Sequence, residues 1–456
     1  MTIQQIHDAQ KSFFQTNESK DIDFRIAQLK KMQQLLKSNE AQLYEAIYKD
    51  FSKSEFETYA TEFSLIYHEL KLFIKNIRKW SKRKRVSTGL ANFPAKSYVL
   101  SEPLGNTLVI GAWNYPYQLS LLPAITSLAA GNTVILKPSE IALNASKAIA
   151  QLINKNFPAH YFRVIEGGIP ETTALLKYPF DKIFFTGSTS VGKIVYEAAA
   201  KHLTPVTLEL GGKSPTIVMA DTNLEMTAKR IVWAKFLNAG QTCIAPDYIL
   251  VEQSIENQLI EALKEELDNY PKQGNVDADH YLQIVNTKNY DRLVALLDQE
   301  KVCYGGVSDR AKRFISPTLL QDVSFEDEVM QEEIFGPILP ILSFTNLDEV
   351  IAKIKTRPKP LSFYVYSKNR VTINKLLREI SFGGGAVNDS LMHVSNSNLP
   401  FGGVGGSGMG NYHGKAGFDT FSHRKSIIDK PFWLEPNVKY PPYSTGKLNL
   451  IKWLMG

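Results

Sequence analysis

Short apolar runs set a helix-length apart constrain this chain more than any other feature. Leu108–Gly111, Thr133–Lys137, Phe162–Glu166, Lys182–Thr186, Pro205–Leu210 and Pro215–Ala220 are mostly rich in strand-forming residues, with helix-sized intervals between them. That alternation predicts βαβ units and a mainly parallel sheet covered on both faces. Crossovers of this kind bring loops and helix N-termini to the carboxyl edge of the sheet, where ligands bind. Before the pattern starts, Asp21 to Trp80 reads as amphipathic helices, with apolar residues three and four apart over Arg25–Leu36 and Ala41–Phe51. A second α/β block is expected from about Gly211 to Leu399. It has helices near Leu224–Leu237 and Ile255–Asp268 and strands near Ile338–Phe344 and Ser362–Tyr366. Phe401–Gly408 is expected to be loop, because glycine at that density holds neither helix nor strand. With 456 residues, two or three domains are expected.

Composition removes several function classes. Apolar residues make up 44% and charged residues 21%, with a mean hydropathy of −0.18, which describes a soluble globular chain and not a disordered or fibrous one. The net charge of +6 is too small over this length to imply a nucleic-acid partner. Cys243 and Cys303 are the two cysteines, so a disulfide framework is excluded and a reducing compartment is expected. Met1–Lys20 is polar and without an apolar core, so a cytoplasmic location is expected. The uncharged stretch between Glu102 and Lys137 is long enough to imitate a membrane span. Asn114, Pro116, Gln118, Pro123 and Gly131 break it into pieces of a buried soluble interior. The basic run from Arg78 to Arg85 reads as a solvated helix end or a phosphate contact.

Five places carry candidate chemistry. Phe185-Thr186-Gly187-Ser188 follows a strand and opens a helix containing Gly192, so it is either a phosphate-binding turn or a plain tight turn. It misses the P-loop pattern, since Ile194 follows Lys193 where Ser or Thr would hold magnesium. Lys137 and Glu140 lie at a strand end, where an acidic group hydrogen-bonds an adenosine ribose in dinucleotide folds, or else face solvent. Cys243, in a small-residue loop, is a nucleophile if a helix N-terminus or a cation lowers its pKa, and otherwise an inert buried thiol. Cys303 is expected to be inert. Glu209 precedes Gly211 and Gly212, which allow another group close to the backbone, and its carboxylate could take a proton from water. Asn114 is a neutral donor in an apolar setting, suited to an oxyanion.

Taken together, Trp113–Pro116, Lys137–Glu140, Phe185–Ser188, Glu209–Lys213, Gly240–Cys243, Glu332–Pro337 and Pro400–Gly403 resemble the aldehyde dehydrogenase superfamily in order and spacing. Tyr412-His413-Gly414-Lys415 and the short N-terminus are similar to its class 3 branch. The resemblance implies an α/β fold with a Rossmann-like cofactor domain (1–80 and 101–210), an α/β catalytic domain (211–410) and a β oligomerisation extension with the tail (81–100 and 411–456). It implies Cys243 as nucleophile, Asn114 as oxyanion donor and Glu209 as the base that hydrolyses a thioester. Glu333 would bind the nicotinamide ribose beside Phe335, and is itself close enough to be considered as the base. Lys137 and Glu140 would hold the adenosine ribose, and Gly187, Ser188 and Gly192 would border the pyrophosphate. The implied cofactor is NAD, with NADP also taken by class 3 relatives, and the implied assembly is a homodimer. No metal site is expected.

Gln241, Thr242, Ile244 and Ala245 offer no cation to a charged substrate. Tyr115, Tyr117, Trp233, Thr242 and Phe401 are expected to line an apolar tunnel, or in the aromatics' case to be core. Uncharged aliphatic, isoprenoid-type or aromatic aldehydes are therefore expected; the alternative is a semialdehyde or phosphorylated aldehyde. An esterase activity from the same thiol and a non-catalytic role are the readings from other classes, and the second would require loss of Cys243, Asn114 or Glu209. Lys447–Gly456, cationic with Leu448, Leu450, Ile451, Trp453, Leu454 and Met455, packs across a dimer or lies on a membrane surface.

Overall fold

The computed structural model describes residues 1–268 and 281–455, so the expected helix end at Asp268 is covered and Gly456 lies outside the described residues. Helices α1 (Ile3–Gln15), α2 (Ile22–Ser38), α3 (Glu40–Phe51), α4 (Glu55–Thr58) and α5 (Ser64–Trp80) open the chain. The last two form one rod interrupted by a single π turn, Tyr59–Phe63. The apolar periodicity has its effect here: Leu29, Met32, Leu36, Leu43, Ile47, Leu70 and Phe73 are buried in the first core.

Strands β1 (Lys84–Val86) and β2 (Lys96–Pro103) leave that body as an antiparallel pair. The chain then alternates as expected: β3 (Asn106–Ile110), α6 (Gln118–Ala130), β4 (Thr133–Lys137), α7 (Leu143–Asn156), β5 (Phe162–Val164), α8 (Ile169–Leu175), β6 (Lys182–Thr186), α9 (Thr189–Ala200) and β7 (Val206–Glu209). These strands are parallel, in the order β7-β6-β3-β4-β5. The order reverses between β3 and β6, so a crevice opens beyond their carboxyl ends, at Gly111 and Gly187. Every residue of α6 is buried, which accounts for the long uncharged stretch without a membrane.

Pro215–Ala220 does not join this sheet. As β8 (Pro215–Val218) it lies in a second one, with α10 (Leu224–Phe236), β9 (Tyr248–Glu252), α11 (Glu256–Leu267), α12 (Thr287–Val294), β10 (Val302–Tyr304), the separate pair β11 (Ser308–Asp309) and β12 (Phe314–Ile315), β13 (Thr318–Leu320), β14 (Ile338–Phe344), α13 (Leu347–Lys355), β15 (Ser362–Tyr366), α14 (Arg370–Glu379) and β16 (Gly384–Val387). The second sheet runs β10-β13-β14-β9-β8-β15-β16, parallel except at β10.

The glycine-dense stretch is not all loop. Gly408–Met409 forms β17, antiparallel to Glu209 and Leu208 on β7. A Cβ on Gly408 would sit 2.4 Å from the Leu208 carbonyl oxygen, so the glycine is what lets the chain lie against the strand. Helix α15 (Gly414–Thr420) follows, and Tyr412, Phe418 and Phe421 are buried in the first core. Strand β18 (Ser422–Asp429) completes the extension beside β2, and α16 (Thr445–Met455) ends the described chain. The cations from Arg78 to Arg85 are exposed. Among the described residues no helix is long and apolar enough to cross a membrane, and no group of three His, Cys, Asp or Glu is placed to hold a metal.

Candidate active site

The carboxyl edge of the first sheet faces the amino edge of the second, where the segments leading into β8, β9, β14 and β15 lie, across one cavity of about 1230 Å³. Asn114, Lys137, Glu140, Gly187, Ser188, Glu209, Cys243, Glu333 and Phe335 all line it, as do Tyr115, Trp233, Thr242 and Phe401. Two expected residues are not on this wall. Gly192 is buried inside α9, where a Cβ would stand 2.7 Å from Leu210 Cδ2, so it serves the close packing of that helix on the strand. Tyr117 is fully buried in the first core and donates to the Leu43 carbonyl at 2.6 Å.

Cys243 is presented by a strained loop. After α10, Asn238, Ala239 and Gly240 take left-handed conformations with φ of 55°, 49° and 72°. Only glycine fits the third position, where a Cβ would lie 2.3 Å from the Gly336 carbonyl oxygen. The two non-glycine residues are held there by partners. Asn238 Nδ2 donates to the Asn114 carbonyl at 2.9 Å and to the Gln241 carbonyl at 3.1 Å. The Gln241 side chain donates to the Gln283 carbonyl at 3.2 Å and accepts from Val285 N at 3.0 Å. Asn114 Nδ2 donates to the Gln241 carbonyl at 2.9 Å, which places the amide beside the cysteine loop and leaves its second N–H for another acceptor.

The charges oppose ionisation of the thiol. Burial, then the carboxylates of Glu333 and Glu209, push Cys243 well above its ordinary pKa. The cations on the cavity wall, Lys137, Lys288 and Arg292, come from other elements than the cysteine loop. Glu209 ends β7, buried, with neither carboxylate oxygen hydrogen-bonded, and burial raises its pKa well above the ordinary value. Glu333 is pushed up to about 8 by burial and by Asp247. Its carboxyl group lies where a Cβ on Gly211 would be 1.9 Å from Oε2 and is supported by the backbone of Gly212. The double glycine thus admits Glu333. Lys213 fixes the same segment, donating to Asp247 at 2.6 Å and to the Val329 and Glu332 carbonyls at 2.8 and 3.0 Å.

The first sheet's edge fits a dinucleotide. Ser188 caps α9, and a Cβ on Gly187 would meet the Phe185 ring at 2.6 Å, so the turn passes close over the strand end with a helix N-terminus behind it. Lys137 Nζ pairs with Glu140 at 2.7 Å. Between α8 and α9 the wall carries Ile169, Leu176, Val191 and Ile194, of which Ile169, Val191 and Ile194 are exposed. Motif reading missed this slot; its signal was apolar residues on the outward faces of two helices. The loop fasteners Asn238 and Gln241 were missed too, because their partners lie more than a hundred residues away in Asn114 or over forty away in Gln283 and Val285.

A cysteine and two carboxylates share one cavity with a sheet edge that fits a dinucleotide, an arrangement suited to an oxidoreductase. The chain belongs to the aldehyde dehydrogenase family, whose model matches residues 2–427. It is therefore an oxidoreductase that oxidises aldehydes, in a family that uses NAD or NADP, and it is class 3-like. It is similar to 4,4'-diaponeurosporen-aldehyde dehydrogenase of Staphylococcus aureus, at 51% identity over 97% of this chain and 96% of the relative. The dimeric NADP-preferring aldehyde dehydrogenase of Rattus norvegicus is 45% identical over 94% of this chain and 95% of its own. The solved substrate-bound state of Staphylococcus aureus AldH superposes with a TM-score of 0.97, at 50% identity, covering all of both chains.

Proposed function

We propose that this enzyme oxidises long apolar aldehydes, including isoprenoid-type chains, to carboxylic acids through a thioester on Cys243. The observation that carries the reading is the continuity of the cavity. It runs from the nucleotide edge past Cys243 to an apolar mouth lined by Phe56, Leu65, Trp233, Leu237 and Met392, with Phe56 84% exposed. Such a wall favours hydrocarbon over a charged tail. The Staphylococcus aureus relative is named for a diaponeurosporen aldehyde, a substrate of the same chemical kind.

Placement in the cavity supports the following roles. Cys243 attacks the carbonyl carbon, its proton passing to a carboxylate of the cavity. The free N–H of Asn114 and the Cys243 backbone N–H stabilise the resulting oxyanion. NAD or NADP, held at the first sheet's edge, would supply the hydride acceptor. Glu209, unpartnered and turned to the cavity, takes a proton from the water that cleaves the thioester. Lys137, Glu140, Gly187 and Ser188 hold the nucleotide's ribose and phosphates, and Glu333 with Phe335 the nicotinamide end. The charge of Glu140 repels a 2′-phosphate, so NAD is the preferred cofactor.

We further propose a homodimer, built through the β1-β2-β18 extension and the tail. The test of function measures NADH production from aldehydes of increasing chain length, with Cys243→Ser alongside. Expected is a kcat/KM that rises with length and vanishes in the variant; a flat series would sink the tunnel, and turnover by Cys243→Ser would sink the mechanism.

A further inference from the structure

Three ionisable side chains on or just before the rod formed by α4, the π turn and α5 are not used by the chemistry above. Lys53, just before the rod, and Glu62 are both completely buried and pair at 2.9 Å. Glu62 also accepts from Tyr117 N at 2.8 Å and Gln118 N at 3.1 Å, at the start of α6, which has no side-chain cap of its own. Glu57, on the cavity wall, accepts from Asn238 N at 2.8 Å. Lys53 Nζ stands 4.4 Å from the centre of the Tyr115 ring, and the Tyr115 hydroxyl meets Thr242 Oγ1 at 2.6 Å. The two carboxylates therefore reach the two loops that matter most, residues 113–118 with Asn114 and residues 237–243 with Cys243.

The π turn makes this geometry available. Residues five apart on an α-helix point about 140° away from one another, at about 100° per residue. Here Ser64 N donates to the Tyr59 carbonyl, an i to i+5 closure, so Glu57 and Glu62 come round towards the same side. The rest of the rod presents Phe56, Ala60, Thr61, Ser64 and Leu65 to the cavity.

We infer that Lys53, Glu57 and Glu62 are positioning residues, a buried charge cluster that clamps the oxyanion-donor loop and the nucleophile loop to the helix forming the wall of the substrate cavity. The inference rests on Cys243 being the nucleophile. Lys53 neutralises the carboxylates and, through the face of Tyr115, sets the hydroxyl that holds Thr242 beside the thiol. Removing the cation leaves the two carboxylates without a counter-charge, and the loops they hold lose their common anchor.

The test uses the full chain with Cys303→Ser as background and reads two quantities: the rate of Cys243 alkylation by iodoacetamide without cofactor, and steady-state turnover. Tyr115→Phe, which deletes one hydroxyl, is expected to change the alkylation rate at least about fivefold and to lower kcat about tenfold or more, with aldehyde KM within about threefold. Lys53→Met is expected to do the same, and Lys53→Arg to return both to within about threefold of wild type. The double variant Tyr115→Phe/Lys53→Met should fall no further than the worse single one, since both break one chain of contacts. Multiplicative losses, or losses confined to KM, overturn the clamp. So do wild-type alkylation and kcat in Tyr115→Phe, which also keeps the test alive should Lys53→Met not fold. Absence of wild-type turnover with any aldehyde overturns the proposed function instead, and leaves the alkylation comparison standing.

Discussion

Glu209 is an unpartnered buried carboxylate, and that environment has a consequence for stability as well as chemistry. Its folded pKa is raised by burial above the unfolded value of about 4.3. The sign is therefore that of a group whose protonated form the fold prefers: its contribution is complete below the unfolded pKa and lost as pH rises towards the folded one. Glu209→Gln removes that loss. Urea unfolding at pH 5 and pH 8 should show the variant gaining on wild type by up to about 1.4 kcal/mol per pH unit between the two pKa values, while turnover falls about a hundredfold or more. A variant that is less stable at pH 8 than at pH 5, relative to wild type, refutes the assignment of an ionisable, desolvated base. Glu140 offers a second test at this scale. It pairs with Lys137 on the nucleotide side and stays part-exposed, so Glu140→Gln should raise the NADP-to-NAD ratio of kcat/KM about tenfold. An unchanged ratio removes Glu140 from the ribose site.

Among elements, α9 shows what a motif can and cannot say. The strand, the turn and the helix that follows it were legible in the sequence because glycine, β-branched residues and a serine cap each leave a local mark. The function of Gly192 was not, since its neighbour Leu210 belongs to the segment after β7 and periodicity within α9 carries no information about it. The structure makes Gly192 a spacer: a side chain there meets Leu210, so either that side chain or α9, with Ser188 and its backbone N–H groups, must shift. Gly192→Val is thus expected to raise the KM for NAD about tenfold with kcat changed less than about threefold, read from initial rates at saturating aldehyde. Equal losses in kcat would mean that the helix also positions the reacting centre. The same limit hid Lys53, Glu57 and Glu62. A π turn breaks the helical period on which sequence reading relies, and their contacts reach from 9 to 181 residues along the chain. Strand β17 was hidden for the converse reason, since glycine was read as an obstacle to pairing where close approach required it.

At the scale of the molecule, among the described residues, the extension and the tail leave a strand edge and large aromatic side chains exposed. Among the described residues strand β18 is an edge, paired with β2, and β16 is an edge of the second sheet. Phe432 is fully exposed and Trp433, Tyr443 and Trp453 are 72%, 79% and 79% exposed. Large aromatic side chains gathered on one appendage mark an interaction surface more often than they mark a free one. The basic run from the end of α5 into β1 and the α16 lysines leave two occupants in competition, a second copy of the chain and an anionic lipid surface. The second copy is favoured because an exposed strand edge is satisfied by another strand and not by lipid head groups. Sedimentation should therefore find a particle of about twice 51.3 kDa, and Phe432→Ser/Trp433→Ser should shift it towards the single chain. Flotation with vesicles containing anionic lipid separates the alternatives. Expected is no flotation of the dimer, with or without the residues after Tyr443; a monomer that floats only when α16 is present would instead assign the tail to the membrane and leave the strand edges to be explained.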